Sequence, residues 1–591
     1  MSISTELYTT YCEFYKELSI DEELVFFESH NSIDFAGNML YIAREISRDD
    51  NLKQMKIVIS CTEESQGMIE SFLEKYAITN SYLIKRESEE YFKVLAMAKY
   101  LFTDVAFYPL YRKKEGQVCV STWHGTPLKT LGFTFFEDSY VVANQKRGFC
   151  LADYFICPNN YTWNCIKDSY QLDGLFKGEV IFSGSPRNSV FFNEHRRDEV
   201  REKFRVNNKK VIAYLPTWRG RVIEVDTKQS LQLYEMLEML DDSLTDEFEI
   251  WVKLHRLNQE EIDFSEFSHI RKFPMGYETY DLLNATDALI TDYSSVMFDF
   301  MLTGRQIILY CYDKEDYVEN RKCYFDIEKL PFPIVEKTEE LIQEIKSGKK
   351  YDDTGIINYF CQNDSADSVK KILKRIMYEK GCCKLGVLTK KEKKKRLLFV
   401  GDLNGNNATD ALFEFLERNN KTKFYISYMN HLLKNKGYKL LQFKKENQIP
   451  LYMFQGKYSY YTLEENKVEK KIKELLKTKS EVPDSLWEIV DNRYRREFER
   501  YTYQNSFGTY IRFAGLDLES LKWFRIFSGE KIIYIHDNMV KKAYENYEYQ
   551  LYLQRAIEVA TEIHFANRAV FELAENLMGK LKGKIIVERL Y

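Results

Sequence analysis

The chain has 591 residues, of which 45% are hydrophobic and 30% charged, with 10 prolines and a formal net charge of −5. A single hydrophobic core stops growing near about 250–300 residues, so this length excludes a one-domain protein, and the composition excludes a disordered one. The small negative charge argues against a nucleic-acid-binding surface spread over the whole protein.

The N-terminus and the cysteines bear on the compartment. No basic region followed by an apolar run opens the chain, and no stretch approaches the roughly 18 apolar residues of a membrane span. The 11 cysteines show no C-x-x-C spacing, which favours reduced thiols and gives no signal of a metal cluster. We therefore expect a cytoplasmic protein without a membrane span.

From Glu23 onward, short β-like runs alternate with helical patterns. The runs "ELVFFES", "KIVISC", "QVCVSTWH", "YFICPN" and "EVIFSGSP" are β-like, and "NMLYIAREISRD" and "QGMIESFLEKYA" have helical periodicity. This alternation is typical of βαβ units around a buried parallel sheet. It predicts a first Rossmann-like domain over residues 1–188.

A second series of the same kind follows. Its strands are expected in "KKVIAYLPTWRG", "EFEIWVKLHR", "DALITDYSSVMFDFML" and "QIILYCYD", and it closes with the helical "TEELIQEIKSG" and "SADSVKKILKRIMYEKG". We expect a second doubly wound domain over residues 189–380. Two such domains in tandem would leave a crevice between the carboxyl ends of their sheets.

A basic tract and a third α/β series complete the chain. Residues 381–396 contain "KKEKKKR" and are expected to form a linker. Residues 397–591 open with "LLFVGDLNGNNATDALFEFLERN" and later give "KIIYIHDN" and "KIIVERLY". These runs predict a third α/β domain, whose highly charged middle is helical.

Three strand ends of the second domain carry residues that suit a diphosphate. They are Thr217 with Arg219, Lys253 with His255, and Ser294 with Ser295. Arginine and lysine neutralise phosphate oxygens, and serines that open a helix place hydroxyls beside unpaired backbone N–H groups. Alternatively, the serines only cap their helix and the charges are only solvated. Convergence of all six at one sheet edge favours a nucleotide diphosphate.

His124 occupies the corresponding position in the first domain, at the end of a predicted strand through Val118 and Val120. A histidine has an ordinary pKa of about 6.5, which suits removal of a proton from a hydroxyl. A lone histidine also serves structural roles, so its context decides. Lys129 follows shortly after it. His30 follows another predicted strand and is expected to line the same crevice, so we assign both residues to the acceptor side.

Common cofactor and metal motifs are missing from the sequence. The chain has no G-x-x-x-x-G-K-[ST], G-x-G-x-x-G or H-E-x-x-H motif, and no Asp-x-Asp pattern in the first two domains. "GDLNG" in the third domain is only a weak phosphate-loop signal. We therefore expect basic side chains and helix N-termini to bind the diphosphate without a metal ion or a resident cofactor.

Several of these motifs, taken together and in order, resemble the CDP-glycerol glycerophosphotransferase family. They are "FFES" with Gly37-Asn38, "WHGTPLKTLG", "GSPRNSVFF", "PTWRG", "KLH", "YDLLNATDALITDYSSVMFDF" and "RKCYFDIEKLPFPIV". They span about Glu23 to Arg375. Arg256 and Met39 stand where the family often has proline, which affects local loop geometry rather than the class.

The resemblance implies a GT-B-type pair of domains and assigns roles to individual residues. His124 matches the family histidine taken as the general base on the acceptor hydroxyl. Arg219, His255, Ser294 and Ser295 match residues that bind the donor diphosphate. Asp299 and residues 321–326 match a downstream motif of the donor site.

The implied reaction is transfer of glycerol phosphate from CDP-glycerol to a hydroxyl of a teichoic-acid-like or capsular, lipid-linked acceptor, with release of CMP. CDP-ribitol or another CDP-polyol is the alternative donor, and a non-catalytic scaffold is the alternative of another class. Family members work at the cytoplasmic membrane face, where the tract Lys390–Arg396 either contacts anionic lipid or serves as an ordinary linker. The third domain resembles the first half of a GT-B glycosyltransferase, which leaves a bifunctional polymerase open.

Overall fold

The computed structural model describes residues 5–135, 139–217, 227–254, 262–314, 322–350, 352–379, 395–403, 407–428, 430–431, 447–450, 461–579, 581 and 583–587. Three parallel sheets with helices between their strands make up this part of the chain. The α/β class and the three-domain architecture expected from the sequence are confirmed. None of the described helices combines the length and apolar composition that crossing a bilayer requires.

The first sheet has seven parallel strands in the order β3-β2-β1-β4-β5-β6-β7. They are β1 (Asp21–Glu28), β2 (Lys56–Cys61), β3 (Ser81–Lys85), β4 (Ala98–Thr103), β5 (Val118–Thr122), β6 (Tyr154–Cys157) and β7 (Glu179–Phe182). The helices are Thr5–Glu17, Gly37–Arg48, Gln66–Lys75, Glu89–Met97, Gly132–Phe135, Ser139–Leu151 and Asn160–Ser169. The strand order reverses between β1 and β4, and ligands of such sheets bind outside the carboxyl ends at this point.

The second sheet has the order β10-β9-β8-β11-β12-β13. Its strands are β8 (Lys210–Leu215), β9 (Phe248–Val252), β10 (Ile270–Lys272), β11 (Ala288–Thr291), β12 (Gln306–Tyr310) and β13 (Ile334–Val335). Its helices are Glu194–Lys203, Thr227–Ser243, Thr279–Ala285, Val296–Phe300 and Thr338–Ser347. Gly348, at φ 58, ends the last of these in the left-handed conformation that glycine adopts without strain.

The last helices of the predicted second domain return to the first. Helices Thr354–Phe360 and Ser368–Leu373 follow β13, and the second of them packs on helix Gly37–Arg48. Asn159 Nδ2 donates to the Phe360 carbonyl at 2.5 Å, and Arg375 pairs with Glu179. The segment 354–378 therefore joins the two domains, although the sequence places it wholly in the second.

The third sheet has the order β18-β16-β14-β19-β20-β21-β22. Its strands are β14 (Arg396–Phe399), β16 (Phe424–Tyr428), β18 (Asn447–Pro450), β19 (Thr509–Arg512), β20 (Glu530–Ile535), β21 (Glu562–Phe565) and β22 (Lys584–Val587), while β15 (Asp402–Leu403) and β17 (Asn430–His431) form a separate pair. The helices are Asn407–Arg418, Leu463–Lys477, Asp484–Tyr501, Leu518–Ile526, Asp537–Glu545, Tyr547–Glu558 and Arg568–Met578. Arg396, the last residue of the predicted linker, is already the first residue of β14.

Two of the hydrophobic cores cross domain boundaries. One combines Phe27 and Met39 of the first domain with Trp251 and Phe298 of the second. Another continues from the opposite face of the first sheet into the third domain, where it includes Trp523. The first domain is thus packed between the other two, and their relative positions are fixed by buried apolar contacts.

Candidate active site

The carboxyl end of β5 carries the histidine that the sequence singled out. The strand ends at Thr122, and Trp123, His124 and Gly125 form the corner that follows. Asn38 Nδ2 donates to the Trp123 carbonyl at 2.8 Å, and Arg187 Nη1 donates to the His124 carbonyl at 2.9 Å. The backbone under the imidazole is therefore held from two other segments of the chain.

This corner touches the second domain where the helix Val296–Phe300 begins. A Cβ atom built on Gly125 would lie 2.5 Å from Ser295 Oγ, which is far inside van der Waals contact. A side chain at position 125 would therefore force Ser295 to move. The structure thus brings the His124 corner and the Ser294-Ser295 turn together. We call the space between the carboxyl ends of the first two sheets, next to these two segments, the crevice.

The two serines have different hydrogen bonds. Ser295 occupies the N-cap position, yet its hydroxyl makes no capping bond among the described residues. Ser294 Oγ accepts only a long contact from the Val296 N–H, at 3.5 Å. The capping explanation for Ser295 therefore lacks the side-chain hydrogen bond on which it depends.

Asp299 lies one helical turn below the serines and is buried. Its carboxylate accepts from Arg187 Nη2 at 2.6 Å, from Tyr280 OH at 2.6 Å and from Asn188 Nδ2 at 3.1 Å. We assigned Asp299 to donor binding; the structure places it beneath the crevice, where it holds Arg187. Arg187 in turn joins the His124 corner to the helix that follows the serines.

Thr217 and Lys253 lie at neighbouring strand ends of the second sheet. The Thr217 N–H and hydroxyl donate to Asp292, which follows β11. Lys253 Nζ donates to Thr279 Oγ1 and lies 5.6 Å from the Phe273 ring centroid. Both side chains are thus positioned at the point where the strand order reverses between β8 and β11.

His30 follows β1 at the corresponding point of the first sheet. His30, Asn31 and Ser32 have φ angles of 42°, 55° and 68°, a strained left-handed run of a kind that concentrates at functional sites. His30 Nδ1 lies 2.6 Å from Asp34 Oδ1, and the backbone N–H of His30 donates to Asp104 Oδ1 at 2.8 Å. Partial burial lowers the pKa of His30, but the Asp34 bond and the two carboxylate charges outweigh it and raise the pKa to about 9.

The charge state of His124 is set by its surroundings. The His124 side chain is exposed, and the Trp123 ring lies against it with ring centroids 4.0 Å apart. Loss of water around the ring and the positive charge of His30, with centroids 6.0 Å apart, lower the pKa of His124, and Arg187 acts in the same direction. His124 is therefore neutral at pH 7, the form that can accept a proton.

Lys129 belongs to a loop that pairs with the second domain. Its backbone forms an isolated antiparallel bridge with Cys323, and the Thr130 N–H donates to the Lys322 carbonyl at 3.0 Å. The Tyr324 N–H donates to the Leu128 carbonyl at 2.8 Å. The motif "WHGTPLKTLG" is thus in direct contact with the downstream motif that contains Tyr324.

Some predicted site residues lie outside the described part of the chain. These are Arg219 and His255, together with Trp218, Arg256 and Arg321. Within the described ranges, no three His, Cys, Asp or Glu side chains are grouped as metal ligands.

Arg187 and Glu278 are site residues to which the sequence analysis gave no role. Buried Glu278 accepts from the Gly37 N–H at 3.3 Å and from Tyr41 OH at 3.2 Å, so it joins the second domain to the helix that carries Asn38. Burial and the charge of Asp281 raise the pKa of Glu278 to about 7. The only sequence signal for Arg187 was its place in "GSPRNSVFF", directly after a strand.

Comparison with known proteins gives consistent results. The profile of the family "CDP-Glycerol:Poly(glycerophosphate) glycerophosphotransferase" matches residues 10–378. A teichoic acid poly(glycerol phosphate) polymerase of Bacillus spizizenii (strain ATCC 23059 / NRRL B-14472 / W23) is 30% identical over 375 residues, covering 60% of this chain and 92% of the relative. A teichoic acid glycerol-phosphate transferase of Staphylococcus aureus (strain NCTC 8325 / PS 47) is 30% identical over 285 residues, covering 44% and 70%.

A solved structure shares the fold. The wall teichoic acid polymerase TagF superposes with a TM-score of 0.54 at 24% identity, over 63% of this chain and 92% of that one. The third domain lies beyond the residues that the family profile matches.

Proposed function

Because this chain belongs to the CDP-glycerol:poly(glycerophosphate) glycerophosphotransferase family, we propose that it transfers glycerol phosphate from CDP-glycerol to a hydroxyl of a teichoic-acid-type acceptor. The observation that carries the proposal is the contact between the His124 corner and the Ser294-Ser295 turn. In this proposal, the neutral imidazole of His124 serves the acceptor, and the Ser294-Ser295 turn on the other side of the crevice serves the donor phosphates.

The chemistry follows from this placement. His124 takes the proton of the acceptor hydroxyl, whose oxygen attacks the phosphorus atom that carries glycerol. A new P–O bond forms there, the bond from that phosphorus to the bridging oxygen breaks, and CMP leaves with the bonding electrons. Phosphoryl transfer needs mainly in-line positioning and charge neutralisation, which Lys253 and the turn at Ser294 and Ser295 provide on the donor side.

Arg219 and His255 complete the donor site in this proposal, on the basis of the family motifs alone. With Lys253 they supply the positive charge that a metal ion provides in other diphosphate sites. No resident cofactor is needed, and CMP release should persist when divalent cations are chelated with EDTA.

We place the reaction at the cytoplasmic face of the membrane, on a lipid-linked acceptor. The basic tract Lys390–Arg396 supports this through its charge, at about 1 kcal/mol per basic residue near anionic lipid. Replacing its lysines with glutamine should reduce co-sedimentation with phosphatidylglycerol vesicles.

The direct test is to incubate the full chain with a glycerol-phosphate-primed acceptor and to measure CMP release from CDP-glycerol and from CDP-ribitol. Release from CDP-glycerol at a clearly higher kcat/KM supports the proposal. Preference for CDP-ribitol would reassign the donor, and no release from any CDP-polyol would favour the scaffold alternative.

A further inference from the structure

A second basic pocket lies away from the crevice, where three segments of the chain meet. It has a volume of about 320 Å³ and lies between the helix Gly37–Arg48, the turn Pro186–Phe192 and the helix Ser368–Leu373. Arg44, Arg48 and Lys370 contribute its positive charge.

Neither arginine of this pocket forms an ion pair with a carboxylate among the described residues. The Arg44 guanidinium lies 4.6 Å from the Tyr41 ring centroid, and its buried Nε makes no hydrogen bond. Desolvation and the neighbouring charge of Arg44 lower the pKa of Arg48. The charges of Glu45 and Asp281 offset this lowering only in part. The two guanidinium groups carry like charges, and an anion bound between them would relieve their repulsion.

The arginines of the neighbouring helix Glu194–Lys203 differ in this respect. Arg196 pairs with Asp281, and Arg197 and Arg201 both pair with Asp287. All three arginines of this helix thus have a carboxylate partner, whereas Arg44 and the exposed Arg48 form no such ion pair among the described residues. Glu45 and Glu194 also line the pocket, yet neither forms an ion pair with Arg44 or Arg48 in the described structure.

The pocket is connected to the crevice through the elements that hold His124. Asn38, which fixes the Trp123 carbonyl, opens the same helix on which Arg44 and Arg48 lie. With a rise of 1.5 Å per residue, Arg44 and Arg48 are roughly 9 and 15 Å along the helix from Asn38. The other wall, through Ser189 and Phe192, continues the segment that begins with Pro186 and Arg187.

We infer that this pocket binds a phosphate group of the growing glycerol-phosphate chain at a distance from the reacting end. The inference rests on the proposed function, because that reaction adds one phosphodiester anion per cycle. Planar guanidinium groups bind two oxygens of a phosphate at once. The exposed ring of Phe192 offers an apolar surface for the glycerol carbons between phosphates.

The test measures binding of fluorescently labelled glycerol-phosphate oligomers of two and of eight repeats to the full chain, by anisotropy and without CDP-glycerol. The variant R44Q/R48Q should bind the eight-repeat oligomer at least about tenfold more weakly, with a smaller loss for the two-repeat oligomer. The variant Lys93→Gln/Lys477→Gln, which removes two exposed charges elsewhere, should bind like the unmodified chain.

A second variant covers the case in which R44Q/R48Q loses stability. R44K/R48K keeps both charges but not the two-pronged geometry, and we expect an intermediate affinity. Equal affinity of the glutamine variant and its control would overturn the inference. Loss of binding to phosphatidylglycerol vesicles with oligomer affinity retained would also overturn it. Since the assay contains no donor, failure of the transfer reaction would be seen separately, in CMP release.

Discussion

In the proposed mechanism, activity depends on the protonation of two histidines, His30 and His124, whose ring centroids lie 6.0 Å apart. His30 is held in its charged form by Asp34 and Asp104, and its charge helps to keep His124 neutral. A general base is active above its pKa, so a lowered pKa extends activity toward acidic pH. The acid limb of kcat/KM should therefore have its midpoint below the ordinary histidine value of about 6.5.

Removing the charge of His30 should move this limb. In His30→Gln, we expect the midpoint of the acid limb to shift to higher pH, because His124 loses a positive neighbour while Asp34 and Asp104 remain. His269→Gln is the control, since His269 lies at the amino end of β10 beside Asp246. A shift to lower pH, or an equal shift in both variants, would contradict this account of the two histidines.

Arg187 connects the two sides of the crevice, because it donates to the His124 carbonyl and to the Asp299 carboxylate. Arg187→Lys keeps the charge but cannot bond the His124 carbonyl and Asp299 in the same geometry. Because small displacements of reacting groups cost up to about 100-fold in rate, we expect kcat to fall about 10- to 100-fold, with little change in donor affinity. Arg197→Lys, at a comparable ion pair with Asp287, should change kcat much less.

The sequence predicted the strand-end residues but not the contacts between them. His124, Ser294 and Ser295 follow strands directly, and the carboxyl ends of parallel strands share one edge. Arg187 and Asp299 are 112 positions apart, and His30 and Asp104 are 74 apart. Local periodicity carries no information about such pairs, so the role of Arg187 and the raised pKa of His30 emerged only from the fold.

At the scale of elements, the loop at Gly125 and the turn at Ser295 are in close contact at the edge of the crevice. Gly125→Ala should lower the melting temperature and the rate, because its Cβ would overlap Ser295 Oγ and overpacking costs about 1–3 kcal/mol. Adding Ser295→Gly should restore the melting temperature without restoring full activity. Gly67→Ala, at a helical position with nothing within 4 Å, should lower neither, because alanine favours the helix more than glycine does.

If Ser295→Gly did not restore the melting temperature of Gly125→Ala, the two loops would not be in contact in solution.

Residues 354–378 show what helical periodicity can and cannot predict. Their periodicity predicts helices with an apolar face, but it does not predict which domain that face packs against. The face lies against the first domain, and Asp364 accepts from the Ser185 N–H at 2.9 Å. The contact between the two domains therefore depends on residues 354–378, which lie at the end of the region that the family profile matches.

At the scale of the whole molecule, the third domain is a structural continuation of the first. Arg500 Nη1 donates to the Pro109 carbonyl at 2.9 Å, and Asn505 Nδ2 donates to the Leu175 carbonyl at 3.1 Å. Trp123, beside His124, belongs to the core cluster that extends to Trp523. The third domain therefore packs behind the corner that carries His124.

A shared core predicts joint unfolding. Calorimetry of the full chain should show the first and third domains melting in one transition. A chain of residues 1–379 should expose the apolar face, bind a hydrophobic dye and aggregate. A monomeric, dye-free fragment that melts at the temperature of the full chain would show that the third domain is an independent module.

The central claim is that His124 acts as the base opposite a donor site built by the second domain. The most direct measurement compares single-turnover CMP release and CDP-glycerol affinity in the unmodified chain and in His124→Ala. We expect CMP release to fall by about 10²–10⁴-fold, with the donor Kd nearly unchanged because the proposed diphosphate contacts lie on the opposite side of the crevice. Turnover that survives the substitution would contradict the claim, as would loss of donor binding in its place.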